Sequence, residues 1–177
     1  MENVSYTKEE MLGRRVSLYK DLTPSHHAFV DSHLPGHHKS NHDIIGRGVT
    51  ENPAGGPAIS EPHDFAVHLV KAPSNNGAAL HSHDTVEVFM SLAGKWKVYW
   101  DNNGENCEIV LGKWDVISVP PGVYRGFENL SGDDAVLLVI MGGEDSGRVS
   151  WAPEVVAAAT AIGAEFNPDG TVRSPPK

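Results

Sequence analysis

The chain has 177 residues, 40% of them apolar, with 18 glycines, 12 prolines, one cysteine and a formal charge of −9. That length allows one domain with a buried core, and the Gly and Pro content suits a turn-rich β protein with long connections rather than a helical bundle. Scattered basic residues on an acidic chain argue against nucleic acid as a partner, the lone Cys107 rules out an internal disulfide, and no apolar run approaches the roughly 20 residues that span a bilayer.

The N-terminus, MENVSYTKEEMLGRR, places acidic and polar residues where a secretory peptide needs an apolar stretch. With a single cysteine, this predicts a cytoplasmic protein. Residues 1–60 are weakly patterned and are expected to form an irregular arm packed on the rest of the chain or on a partner subunit. Within the arm, HHAFVDSHLPGHHKSNH (26–42) holds six of the ten histidines. A His-rich tract can take up metal or act as a lid, but a solvated loop with incidental histidines has the same composition. IIGRGV (44–49) reads as a short strand, and ENPAGGPAISEP (51–62) reads as a loop.

From residue 64 the character changes. DFAVHLVK, TVEVFMSLAG, KWKVYW, CEIVLG, WDVISVP, VYRGFEN and AVLLVIMG are short β-branched and aromatic runs separated by turn residues. In TVEVFMSLAG (85–94) the alternation puts Glu87, Phe89 and Ser91 on one face and Val86, Val88, Met90 and Leu92 on the other. DNNGEN carries the Asn-Gly signal of a two-residue hairpin. The pattern predicts an all-β sandwich or barrel over 61–148. A C-terminal segment, 149–177, follows it. There SWAPEVVAAATAIG offers Ser150 as N-cap, Pro153 in the first turn and Gly163 as stop, hence one helix, with NPDGTVRSPPK as a loose tail. Trp96, Trp100 and Trp114 read as barrel wall or subunit contact, and Cys107 reads as structural.

HSHDTVE (81–87) carries the chemistry. On a strand, His81 and His83 point the same way; after a turn at Asp84 and Thr85, Glu87 is expected back on the neighbouring strand. Two imidazoles and a carboxylate on one face, with open positions, form a ligand set for Fe(II) that also suits Mn, Zn or Ni. A polar strand end has the same residues and needs no ion.

The wider stretch GAALHSHDTVEVFMSLAG (77–94) resembles the first motif of the cupin superfamily, G-x5-H-x-H-x3/4-E-x6-G, through His81, His83, Glu87 and Gly94. Three residues separate Gly77 from His81 instead of five. WDVISVPPGVYRGFEN (114–129) resembles the second motif, G-x5-P-x-G-x2-H-x3-N, through Pro120, Gly122 and Asn129. The resemblance implies a double-stranded β-helix (jelly-roll) barrel with six strands per sheet and a site inside its mouth. It also implies a divalent metal cofactor (Fe, Mn, Zn or Ni) on His81, His83 and Glu87, and a homodimer formed through an exchanged N-terminal strand. The function implied is that of a metal-dependent dioxygenase or isomerase acting on a small organic molecule.

Two positions depart from the pattern. Trp114 stands at the second motif's opening glycine, and Arg125 stands where metal-binding cupins supply a fourth ligand, a histidine. A protonated guanidinium has no lone pair to offer a cation. Three readings follow. Arg125 can anchor an anionic substrate beside a three-ligand metal; it can pair with Glu87 and leave a metal-free ligand-binding or sensing barrel; or another residue can replace the missing ligand. For the third, His68 in FAVHLV is a candidate ligand or substrate-binding residue, and a hydrogen-bonded wall histidine is the plainer account.

Overall fold

The alternation along 85–94 becomes a strand because one of its faces is buried. In this computed structural model, which describes all residues except 1, 2, 47, 52–55, 62, 144–146, 170 and 177, Glu87, Phe89 and Ser91 are buried and Val88, Met90 and Leu92 are half-buried. The strands are β1 (Ser40–Ile45), β2 (Phe65–Ala72), β3 (Gly77–Ser82), β4 (Glu87–Ala93), β5 (Trp96–Asn102), β6 (Glu105–Leu111), β7 (Val116–Val119), β8 (Arg125–Asn129), β9 (Ala135–Gly142), β10 (Ser150–Trp151), β11 (Glu165–Phe166) and β12 (Val172–Ser174).

Ten of these form two antiparallel sheets, β1-β2-β9-β4-β7 and β10-β3-β8-β5-β6. Each therefore has five strands among the described residues, not the six per sheet that the resemblance implied. The inward faces of both sheets share one core: Phe127 meets Phe89 and Trp96 edge-on at centroid distances of 5.3 and 5.6 Å, among Val70, Val98, Leu137 and Val139. The jelly-roll architecture is as expected. The Asn103-Gly104 turn has φ of 54° and 88°, the two positive values that a type I′ hairpin needs.

The arm departs from expectation in two places. Lys8–Arg14 is a short helix, α1, closed by a capping box between Thr7 and Glu10, and it buries none of its residues. With no apolar stripe facing a core, the sequence carries no periodic signal for it. The strand expected at 44–49 begins earlier, at Ser40, and ends before Gly46, whose φ is 72°. The predicted loop at 51–62 lies partly outside the described residues.

At the other end, Ser150 belongs to β10 and does not cap the helix. Ala152 holds the cap position, Pro153 opens α2 (Pro153–Ala161), and Gly163 at φ 100° follows its end. The tail is not loose: β11 and β12 pair, joined by the Arg173–Glu165 ion pair. Trp96 is core, whereas Trp114 is 61% exposed. Among the described residues no helix is long and apolar enough to cross a membrane.

Candidate metal centre

β3 delivers His81 to the barrel interior, in register with Arg125 on β8 and Trp151 on β10. His83 lies just past the end of β3, where its carbonyl accepts the Gly122 N–H at 2.9 Å. The chain then crosses between sheets, so Glu87 opens β4 in the facing sheet. It does not lie on a strand neighbouring β3, as alternation alone suggested. The crossing brings the three side chains together: one ligating atom from each of His81, His83 and Glu87 lies within 4.8 Å of the others, and all three residues are buried.

Their tautomers suit a cation. His81 Nδ1 lies 2.7 Å from the Ala79 carbonyl, and His83 Nδ1 lies 3.2 Å from the Arg148 carbonyl. A carbonyl only accepts, so each Nδ1 carries the hydrogen and each Nε2 keeps its lone pair, the arrangement typical of metal-binding histidines. Burial lowers the pKa of His81 well below its ordinary value, and the Arg125 charge adds to the effect. Burial lowers that of His83 too, against the opposing pull of Glu87. Both rings are therefore neutral at pH 7, as ligation requires.

Arg125 is fully buried and engaged. Its Nε and Nη2 both donate to Glu87 Oε2, at 2.8 and 2.6 Å, and Nη1 donates to the carbonyls of His81 and Val123, each at 3.3 Å. Glu87 Oε1 is left facing His83 Nε2 at 3.9 Å, too far for a hydrogen bond. The guanidinium thus grips one carboxylate oxygen and leaves the other to the two imidazoles. It does not line the cavity, so the expectation that it points at a substrate gives way to the ion-pair geometry.

The cavity that the three residues help to line is open at its mouth, and its empty space together with the open solvent there comes to about 520 Å³. Its walls are largely apolar, from Phe29, Val70, Phe127, Val139, Met141 and Trp151. His68 lines it too, with Nδ1 2.9 Å from Asp43 Oδ1, but it stands outside the three-residue cluster and so does not replace the missing ligand. Sequence reasoning missed Asp31 and Lys39, a buried pair on the same cavity with Nζ 2.6 Å from Oδ1. Of the His-rich segment, His27 and His33 stack at 4.8 Å without forming a metal cluster among the described residues. Asn129 is a turn clamp: its Nδ2 donates to the Ala72 and Asp133 carbonyls, and its Oδ1 accepts the Ser131 N–H.

Residues 68–141 match the family model of the cupin domain. A cupin 2 domain-containing protein from Halorhodospira halophila is 18% identical over 70% of this chain and 77% of that one, with a TM-score of 0.52. The DMSP lyase DddQ from Ruegeria pomeroyi DSS-3 is 20% identical over 64% of this chain and 51% of its own, at 0.51. An oxalate oxidase in complex with the substrate analogue glycolate is 16% identical over 51% of this chain, at 0.47, and the present chain spans 47% of its length. The first two likenesses are of fold alone. No curated protein matches the chain.

Proposed function

We propose, from the match of residues 68–141 to the cupin-domain family model, that His81, His83 and Glu87 hold a divalent metal ion in the cavity, where a small organic molecule is bound and transformed. The observation that supports this reading is the pair of backbone carbonyls that fix both imidazoles with Nε2 bare, beside a carboxylate oxygen that nothing else occupies. When bound, such an ion supplies a Lewis-acidic centre with open positions, suited to oxygenation or isomerisation. The donors serve Fe, Mn, Zn or Ni alike. The chain's own residues do the rest. Arg125 orients Glu87 through Oε2, and the burial of both side chains strengthens that contact. The support for an anionic substrate that rested on Arg125 falls away with its engagement by Glu87.

A second reading has its own observation. Because Arg125 already neutralises Glu87, the barrel can stand as a metal-free binding or sensing module without turnover. Elemental analysis of protein purified without a His-affinity step, after exposure to Fe(II), Mn(II), Zn(II) and Ni(II), separates the two. The metal reading expects about one ion per chain, lost in His81→Ala and His83→Ala; less than about 0.2 per chain sinks it and leaves the binding module.

A further inference from the structure

The wall built by β1 and β2 has polar atoms that nothing in the fold uses. Strand register puts Asp43, His68, Val139 and Phe89 in one inward row across the first sheet, with Glu87 in the adjacent row beside Met141. His68 therefore stands on the same inner surface as Glu87, two strands away, roughly 10 Å by strand spacing. Its Nδ1 meets Asp43 Oδ1 at 2.9 Å, and an ionised carboxylate can only accept, so Nδ1 carries the hydrogen. In the neutral ring Nε2 is then a pure acceptor.

That acceptor is buried and without a partner, and so is Oδ1 of Asn41, two residues before Asp43 on β1. Of the five buried polar side-chain atoms without a partner among the described residues, these two belong to residues lining the cavity. The His68 side chain is only 9% exposed. A partnerless buried acceptor is costly to keep unless something arrives to satisfy it. Gly48 packs against this ring: its φ is 61°, and a Cβ there would clash with His68 Cε1 and Nε2, at 2.4 and 2.5 Å, so only glycine lets the backbone approach the imidazole this closely.

We infer that this wall is a recognition subsite for a hydroxylated small molecule with an apolar body, in which His68 Nε2 and Asn41 Oδ1 accept hydrogen bonds from ligand hydroxyls. Asp43 is a positioning residue that fixes the acceptor tautomer. The apolar body packs on Val70, Phe127 and Val139. The inference deepens the cupin reading by naming the ligand class, and it depends on that reading only through the shared cavity.

The test uses the full chain in metal-free form, so that its outcome is separate from that of the metal assay. Histidine ¹⁵N spectra are recorded during titration with the 1,2-, 1,3- and 1,4-cyclohexanediols and with their dimethyl ethers, which keep the apolar body and lose the donors. The expected result is an unprotonated His68 Nε2 whose resonance moves saturably with at least one diol and not with its ether. Asn41→Leu weakens that diol about tenfold at the His68 resonance; should this variant fail to fold, the diol-against-ether contrast still decides. The inference is overturned if no diol shifts His68, if the ethers bind as tightly as the diols, or if Nε2 carries the proton. Diol binding by a protein that takes up no metal would keep the subsite and remove the metal reading.

Discussion

Two buried ion pairs flank one cavity, and they are built differently. In Asp31–Lys39 both carboxylate oxygens are used: Oδ1 takes Nζ at 2.6 Å, and Oδ2 takes the Ala79 N–H of β3 at 3.0 Å. In Glu87–Arg125 both guanidinium bonds fall on Oε2, and Oε1 has only an imidazole 3.9 Å away. A saturated carboxylate fixes architecture, here tying the arm to β3. A half-used one keeps lone pairs available for a guest. Function in this barrel is to be sought where hydrogen bonding is left incomplete, and the same test picks out His68 and Asn41.

The comparison is broken most directly by removing each cation. Lys39→Met strands Asp31, which is wholly buried, as an uncompensated charge, and should cost about 3–5 kcal/mol in urea unfolding. A loss below about 1 kcal/mol would mean that the pair is no architectural tie. Arg125→Gln should cost less in the metal-free protein, about 2 kcal/mol, because the freed carboxylate borders a cavity that water can enter. Its sharper signature is recovery. With the guanidinium gone, Glu87 becomes a stronger donor, so Zn(II) should raise the melting temperature more in the variant than in the parent. If the variant gains nothing from Zn(II), Glu87 is a structural carboxylate like Asp31, and the contrast between the pairs disappears.

How far this contrast was legible in the sequence follows from what periodicity carries. Alternation showed the inward face of β4, and the spacing of His81, His83 and Glu87 marked the centre, because both are local properties of the chain. Periodicity does not say which sheet a strand joins, so the crossing that sets Glu87 opposite the histidines was invisible. Arg125 was legible as a residue type that cannot ligate a cation. Its commitment to Glu87 depends on the register that pairs it with His81. Asp43 opposite His68, and Asp31 accepting the Ala79 N–H, join the arm to the barrel through tertiary contacts that leave no mark on local pattern. The helix α1 and the β11–β12 hairpin are short elements with little buried surface, where local capping and pairing decide and core patterning has nothing to report.

The smallest effect separates the two cations most finely, because both act on one titrating group. Burial is the main cause of the lowered His81 pKa; the Arg125 charge comes next, and Lys39 contributes least among the named causes. A histidine whose folded pKa lies below its unfolded one binds a proton more readily when unfolded. Its contribution to stability is therefore present above the unfolded value of 6.5 and is lost as pH falls from there toward the folded pKa. Urea unfolding of the metal-free protein should accordingly weaken from about pH 6.5 downward. Arg125→Gln removes the charge with the larger effect on His81 and should move its midpoint upward in an NMR titration, narrowing that window. Lys39→Met should move it in the same direction by less, even though it costs more overall stability. If Lys39→Met shifts His81 further than Arg125→Gln does, the guanidinium is not the cation that governs the centre, and the division between an architectural pair and a functional one has been drawn in the wrong place.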